Sequence, residues 1–212
     1  YDLQYLKGIK EQPSALLRPV LNGAERGVNS KEAFLKKIKK LIVVGSFTWG
    51  PKAQNIKALV RAFKENKMVS EGFELHVVGR IEEDLAIQLK NTCPDIHISG
   101  QVVDLEKYYS NCSIALIPEV MGGGFKLKVA EAGMFKKAIF SVKGAITKSN
   151  LKPELHFNES KDLDEMMVNL IEQVKNPDEL WQIAELAHAT VNTEYTQEAL
   201  SSSLKTLLQW NS

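Results

Sequence analysis

The sequence predicts an α/β protein, a doubly wound parallel sheet of about six strands followed by a helical C-terminal tail. From Lys40 onward, short runs rich in β-branched residues alternate with segments whose apolar residues recur three and four positions apart. Such alternation is typical of strand–helix–strand units, which place helices on both faces of a parallel sheet. After residue 160 only the helical spacing continues, and this predicts the tail.

The predicted strands are short apolar runs bounded by turn or charged residues. They cover residues 41–46, 73–79, 95–100, 113–118, 137–142 and 154–158. The predicted helices between them cover residues 55–66, 82–91, 104–111 and 124–135. The tail adds helices at residues 162–176, 177–192 and 196–210. Asp162 and Asp178 suit the starts of the first two tail helices, because acidic residues favour helix N-termini.

The first 39 residues have a different character. Turn signals dominate them and no apolar period is sustained, until residues 30–40 predict a short helix capped by Ser30. We interpret residues 1–39 as a linker or an incomplete element, and residues 40–212 as one domain.

The composition excludes several classes of function. Among 212 residues, 27 lysines and arginines face 26 aspartates and glutamates, so the formal charge of +1 gives no global attraction to nucleic acid or anionic membranes. Any anion site must therefore be local. No apolar run approaches the roughly 20 residues of a membrane span. The two cysteines, Cys93 and Cys112, have no metal or disulfide pattern, which favours a reducing, cytoplasmic location.

Several polar residues are explained most simply by packing or solvation. The four histidines are scattered without metal-ligand spacing, so no metal site is predicted. They are His76, His97, His156 and His188. The first two fall within predicted strands and are expected to be core groups with satisfied hydrogen bonds. The lysine pair at 136–137 is expected to be solvated.

A glycine loop separates the strand at 113–118 from the helix at 124–135. Ligands of open α/β sheets bind outside the carboxyl ends of the strands, and glycine lets a helix N-terminus approach a phosphate closely. The candidate residues of this loop and the first helical turn are Gly122, Gly123, Gly124, Phe125, Lys126 and Lys128. Because the helix dipole disfavours lysines at its N-terminus, an anionic ligand would resolve a conflict. A glycine-rich turn with two solvated lysines is the alternative.

The same helix places a carboxylate among apolar residues. Glu131 shares a helical stripe with Leu127, Ala130 and Met134, at the spacing of one helix face. A carboxylate in such a position needs a hydrogen-bond donor. Either a structural lysine or arginine, or the paired hydroxyls of a ligand such as a ribose, would meet this need.

Four segments of the chain occur in an informative order. They are "LIVVGSFTWGPKAQNIKALVRAF", "FELHVVGRI", "DIHISGQVVDLEKYYSNCSIALIPE" and "GGGFKLKVAEAGMFKKAIFS". In this order they resemble the nucleotide-sugar-dependent glycosyltransferases of the GT-B fold, in the retaining group called family 4 or group 1. The resemblance covers about residue 40 to the C-terminus. It implies one Rossmann-like half of a GT-B fold, namely the C-terminal domain that binds the donor.

The resemblance implies a role for each part of the candidate site. The glycine loop and helix N-terminus would hold the diphosphate and sugar of the donor, Glu131 would bind the ribose, and residues 102–104 would read the base. Arg80 and the two lysines would replace the Arg/Lys pair that often grips the diphosphate. The catalytic residues implied are Lys126, Lys128 and Glu131. The donor-binding residues implied are Gly45, Ser46, Arg80, Val102, Val103, Asp104, Gly122, Gly123, Gly124, Phe125 and Glu131.

Two positions depart from the family's pattern. Gly123 stands where the family usually has a glutamate that contacts the transferred sugar, and Lys128 stands where many members have proline. The valines at 102 and 103 also fit a core role, which remains an alternative to contact with the base.

The function implied is transfer of a sugar from a nucleoside-diphosphate sugar, such as a UDP- or GDP-sugar, to an acceptor with retention and without a metal or cofactor. The expected partners are the nucleotide-sugar and an N-terminal acceptor-binding domain missing from this chain, without which the fragment is expected to be inactive. Any peripheral membrane association would occur through that missing domain, and no nucleic acid is expected to bind. A non-catalytic GT-B-like binding or partner module and a nucleotide-sugar epimerase of GT-B-like fold are the alternatives.

Overall fold

A computed structural model describes residues 30–119, 126–147 and 149–209, with side chains up to residue 205. Its centre is a six-stranded sheet in the order β3-β2-β1-β4-β5-β6, and every neighbouring pair is parallel. The strands are β1 (Lys40–Val44), β2 (Glu74–Val78), β3 (His97–Ile98), β4 (Ile114–Ile117), β5 (Ala138–Val142) and β6 (Asn158–Ser160). The predicted doubly wound α/β architecture is confirmed.

Helices connect the strands and form the tail. They are α1 (Lys31–Lys36), α2 (Gly50–Glu65), α3 (Glu83–Thr92), α4 (Glu106–Ser110), α5 (Leu127–Met134), α6 (Leu163–Gln173), α7 (Pro177–Glu194) and α8 (Gln197–Gln209). Among the described helices, none is long and apolar enough to cross a membrane.

The central strands β4 and β5 are buried along their whole length, because helices cover both faces of this part of the sheet. The chain winds from β1 outward to β3 and then returns to place β4 on the other side of β1. This reversal leaves a crevice between the carboxyl ends of β1 and β4, the place where ligands bind in open α/β sheets.

The tail packs back onto the sheet domain. Helix α7 contacts α5 and β5, and α6 contacts α2, β5 and β6. A Cβ on Gly133 would lie 2.7 Å from the Val191 side chain, so glycine permits the close approach of α5 and α7. Asp162 caps α6 as predicted, since its Oδ1 accepts a hydrogen bond from the Glu165 backbone N–H at 2.9 Å.

Helix α1 forms where the sequence predicts it. The Ser30 hydroxyl oxygen accepts a hydrogen bond from the Ala33 backbone N–H at 3.2 Å, and Phe34 packs edge-on against Trp181 with the ring centroids 5.3 Å apart. Most of the predicted linker, residues 1–29, lies outside the described residues, and the division of the chain at residue 39 stays a prediction.

Four local expectations are wrong. The last strand begins at Asn158 rather than at residue 154, because Glu154 adopts a positive φ of 63° and residues 154–156 form a turn. Lys137 is fully buried rather than solvated, and its ammonium donates a hydrogen bond to the Cys112 carbonyl at 2.9 Å. His97, expected in the core, is exposed at the edge of the sheet. His76, expected to be a core group with satisfied hydrogen bonds, is half-buried, and its Nε2 has no hydrogen-bond partner among the described residues.

Candidate functional site

The segments that follow β1, β2 and β3 lie side by side at the carboxyl edge of the sheet. The Gly45 N–H donates to the Val78 carbonyl at 3.0 Å, and the Gly79 N–H donates to the Gly100 carbonyl at 2.7 Å. Gly79 has a φ of +127°, and a Cβ there would lie 1.8 Å from the Gly45 carbonyl oxygen. Only glycine allows the two segments to approach this closely. The contact brings predicted residues from separate parts of the sequence to one edge.

Ser46 and Arg80, both predicted to contact the donor, are exposed at this edge. The Ser46 hydroxyl lies 3.2 Å from that of Thr48, and the Arg80 carbonyl accepts a hydrogen bond from the Phe47 N–H at 2.7 Å. Within the described part of the chain, the Arg80 guanidinium forms no ion pair. Both side chains are therefore accessible to a ligand at the edge.

The predicted base-reading residues occupy three different environments. Val102 is half-buried and packs against the core, whereas Val103 is fully exposed. Asp104 is exposed, and its Oδ1 accepts a hydrogen bond from the backbone N–H of Glu106 at 2.8 Å, at the start of α4. A role in the core, the alternative to contact with the base, therefore fits Val102 and does not fit Val103.

Lys128 reaches into the crevice between β1 and β4. Its ammonium donates to the carbonyl of Val44, the last residue of β1, at 3.3 Å. It also forms an ion pair with Glu119, which lies two residues beyond the end of β4 and is 5% exposed. The second carboxylate oxygen of Glu119 is buried without a hydrogen-bond partner among the described residues. A charged pair therefore lies at the point where the strand order reverses.

Glu119 is absent from the residues predicted for the site. The available signal was a carboxylate directly after a wholly apolar run, at the carboxyl end of a predicted strand. Such a position is exposed to ligands in parallel sheets. The sequence alone does not pair it with a lysine on the following helix.

Lys52 repels two other lysines at this edge. Burial lowers the pKa of Lys126 and of Lys128, and the positive charge of Lys52 in the first turn of α2 lowers both further. Glu131 opposes this effect on Lys128, and contact with Glu119 also favours the charged ammonium. The ammonium of Lys126 donates a hydrogen bond to the Ala145 carbonyl at 2.5 Å. An anion would relieve the repulsion between Lys52 and the other two lysines. Lys52, like Glu119, is absent from the residues predicted for the site.

Glu131 is half-buried on α5, as its helical stripe suggested. Burial raises the pKa of its carboxyl, and the nearby charge of Lys128 lowers it. Among the described residues, no side chain donates a hydrogen bond to this carboxylate. Its stripe is less apolar than expected, since Leu127 is 45% exposed while Ala130 and Met134 are buried. The carboxylate retains the capacity to accept hydrogen bonds from a ligand.

The predicted loop residues Gly122, Gly123, Gly124 and Phe125 lie outside the described residues. Helix α5 begins just after them, at Leu127, with Lys126 at the N-cap position and no side-chain hydrogen bond capping its first turn. No acidic residue occupies that turn. The roles of the loop and of the other candidate residues stay predictions.

The fold and this edge define a Rossmann-like α/β domain with a cationic crevice at the topological switch point. Residues 38–176 match the family described as glycosyl transferases group 1, and the chain belongs to this family. Among curated proteins, none matches the chain.

Several solved structures share the fold at low sequence identity. HepE of Anabaena in complex with UDP and glucose has a TM-score of 0.71 at 11% identity, covering 91% of this chain and 56% of HepE. The C-terminal domain of the group 1 glycosyltransferase LpcC of Francisella tularensis has a TM-score of 0.63 at 15% identity, covering 85% and 97%. The pneumococcal O-GlcNAc transferase GtfA, in complex with UDP and GlcNAc, has a TM-score of 0.64 at 18% identity, covering 97% and 42%.

These likenesses confirm the predicted fold, one half of a GT-B fold. The chain spans about half the length of HepE and GtfA, whereas it spans nearly all of the LpcC domain.

Proposed function

We propose that this chain is the donor-binding domain of a retaining, family 4 glycosyltransferase that takes a sugar from a UDP-sugar. The observation that carries the proposal is the cluster of Lys52, Lys126 and Lys128 at the switch point of the sheet. A diphosphate is the anion that fits such a cluster beside a helix N-terminus. HepE and GtfA, which share the fold, are each in complex with UDP and a sugar, and this supports uridine as the base.

Each charged residue has a distinct role in this proposal. Lys126 and Lys128 stabilise the negative charge that develops on the leaving diphosphate, an electrostatic contribution that grows as the bond to the sugar breaks. Glu131 accepts hydrogen bonds from the ribose hydroxyls and so orients the nucleotide. Glu119 holds the Lys128 ammonium in the crevice through their ion pair.

Acceptor binding falls to a second, N-terminal domain of the whole protein in this proposal. The active site of a GT-B enzyme would then be the cleft between the two domains. Alone, the 212-residue chain would bind the donor without efficient transfer. A cytoplasmic location, with membrane contact only through the other domain, completes the proposal.

Calorimetry and thermal unfolding with UDP, GDP, ADP and dTDP test donor binding. A ligand at a hundredfold excess over its dissociation constant stabilises a fold by about 2.7 kcal/mol. For a domain of this size the melting temperature would rise by about 5–10 °C. We expect UDP to produce the largest rise, and Glu131→Gln to weaken UDP binding. A matched control is Glu65→Gln, which makes the same chemical change at an exposed glutamate at the far end of α2. A folded sample indifferent to all four nucleotides would refute the proposal.

A non-catalytic GT-B-like module is a second candidate, favoured by Gly123 at the position of the family's usual glutamate. Both candidates bind the nucleotide, so binding does not separate them. Product analysis of the whole protein with a UDP-sugar does. Transfer to an acceptor excludes the non-catalytic module, and conversion of the donor without an acceptor indicates an epimerase.

A further inference from the structure

A second polar cluster lies away from the lysines, toward the edge of the sheet where the strands begin. Glu74 is the first residue of β2, and His76 follows on the same face because side chains two residues apart share a face. His97, the first residue of β3, is in register with His76. One ligand atom from each of the three side chains lies within 4.8 Å of the others.

The geometry of this cluster is close to that of a metal site. The His76 Nε2 lies 3.6 Å from the Glu74 Oε2, and the two imidazole rings are stacked with centroids 4.6 Å apart. Ligand atoms of a tetrahedral zinc ion lie about 3.4 Å apart, given bonds of about 2.1 Å. Because the two rings are nearly parallel, the exposed His97 would turn out of the stack to direct a ring nitrogen at the same ion. The His76 Nε2 is buried without a hydrogen-bond partner among the described residues, so a ligand would satisfy it.

We propose that Glu74, His76 and His97 bind one divalent transition-metal ion of the Zn²⁺ type. Two imidazoles and a carboxylate suit Zn²⁺ or Co²⁺, whereas Mg²⁺ and Ca²⁺ prefer oxygen ligands alone. The inference goes beyond the proposed donor binding, which requires no metal here.

The surroundings leave a coordination position for water or another ligand. A cavity of about 590 Å³ adjoins the two histidines; its lining includes the polar residues Ser99, Tyr108 and Asn111 and two lysines, Lys37 and Lys107. Three protein ligands with a fourth position open to solvent form a common zinc arrangement. The ion would contact this cavity directly.

A lysine lies beside the proposed ligands. The Lys40 ammonium lies 3.1 Å from the Glu74 Oε2 and competes with the metal. Its side chain is 31% exposed, so it can turn toward solvent when the metal binds.

The metal would also bear on the stability of the sheet edge. Strand β3 contains only two residues and pairs with β2 alone. An ion held by both strands would link them, and binding to the folded state alone would raise the free energy of unfolding.

Cobalt spectroscopy on the full 212-residue chain, without an affinity tag and after treatment with a chelator, tests the site. We expect one equivalent of Co²⁺ to bind with visible absorption bands of tetrahedral character, and Zn²⁺ to displace it. His97→Gln and Glu74→Gln should each weaken binding by about tenfold or more. His97 is exposed, so its substitution leaves the fold intact.

The controls are His188→Gln and Glu71→Gln, which alter residues outside the cluster and should leave Co²⁺ binding unchanged. UDP affinity should be the same in His97→Gln as in the unaltered chain, which keeps this test separate from that of donor binding. Absence of Co²⁺ binding in the folded chain would overturn the inference. Equal binding by the unaltered chain and by His97→Gln would overturn it as well.

Discussion

The buried Lys137 makes the stability of the domain depend on pH, and Lys137→Met isolates this dependence. The side chain is fully buried at the start of β5, and its ammonium donates a hydrogen bond to the Cys112 carbonyl. Burial lowers the pKa of Lys137 to about 7, while Cys112 opposes and Lys37 adds to the shift. In the unfolded chain a lysine titrates near 10.4. Between these values the unfolded chain binds a proton that the folded chain does not.

Stability therefore rises with pH across this interval, by up to 1.36 kcal/mol per pH unit. With a folded pKa of about 7 for Lys137, we expect a gain of about 2 kcal/mol between pH 7 and pH 9. Above pH 9 the Cys112 thiol works in the opposite direction, because burial raises its pKa to about 12. The pH range in which the Lys137 effect can be measured cleanly therefore ends near pH 9.

Urea unfolding of both chains at pH 7, 8 and 9 measures the effect. The lowered pKa values of Lys126 and Lys128 also contribute a positive slope, but both variants share it and it cancels in the difference. We expect the advantage of Lys137→Met over the unaltered chain to shrink by about 2 kcal/mol from pH 7 to pH 9. A difference that is constant over this range would show that Lys137 remains protonated when buried, and would refute the reasoning.

Three further substitutions have expected outcomes. Gly79→Ala should lower the free energy of unfolding, measured with urea, by at least about 2–3 kcal/mol, because the added Cβ would meet the Gly45 carbonyl oxygen at a residue of positive φ. Gly50→Ala should be nearly neutral, because no atom lies within 4 Å of the added Cβ. Lys52→Gln should raise the melting temperature without nucleotide, because it removes the repulsion of Lys128 by Lys52. It should weaken UDP binding in calorimetry, because it removes a charge that attracts the diphosphate, and stronger binding would contradict the proposed role of the three lysines. Asp162→Ala should cost about 1 kcal/mol through the lost cap of α6, and an unchanged unfolding midpoint would argue against that bond.

The central elements were predictable from the sequence because burial on both faces leaves a continuous apolar run. Strands β1, β4 and β5 show this pattern and form where expected. The edge elements were less predictable: β3 has two residues instead of six, and β6 begins later than expected. An edge strand has one partner and less apolar burial, so its ends depend on local turns that hydrophobic spacing does not record.

The burial of Lys137 was not predicted, for a related reason. Two adjacent lysines usually indicate a solvated surface, since buried lysines are rare. Here the turn after α5, with Lys136 at a φ of 53°, directs the two side chains differently. Lys136 lies 4.9 Å from the Trp181 ring and 3.4 Å from Glu185, while Lys137 points into the core. Only the backbone turn separates their environments.

The sequence indicates where in the fold the candidate site lies better than it indicates which residues form it. Topology places the carboxyl ends of β1 and β4 together, so Gly45 and Lys128 could be named as candidate residues from the sequence. Glu119 and Lys52 join them through packing of α5 and α2 against the sheet, which no local motif encodes. The same holds for His76 and His97, which are 21 positions apart and meet only through strand register.

The balance of charge at the carboxyl edge favours the proposed anion site over an ordinary structural ion pair. The chain as a whole is nearly neutral, with a formal charge of +1. At the switch point, however, three interacting lysines are opposed by the carboxylates of Glu119 and Glu131. A structural pair would be satisfied by Glu119 and Lys128 alone and would not gather Lys52 and Lys126 beside it. The excess positive charge lies where α2 and α5 begin, so their dipoles add to it rather than offset it. A diphosphate placed there relieves the repulsion that Lys52 exerts on the other two lysines and satisfies both helix ends, and for this reason the free energy of binding should depend more on Lys52 than on Lys128, which is paired with Glu119.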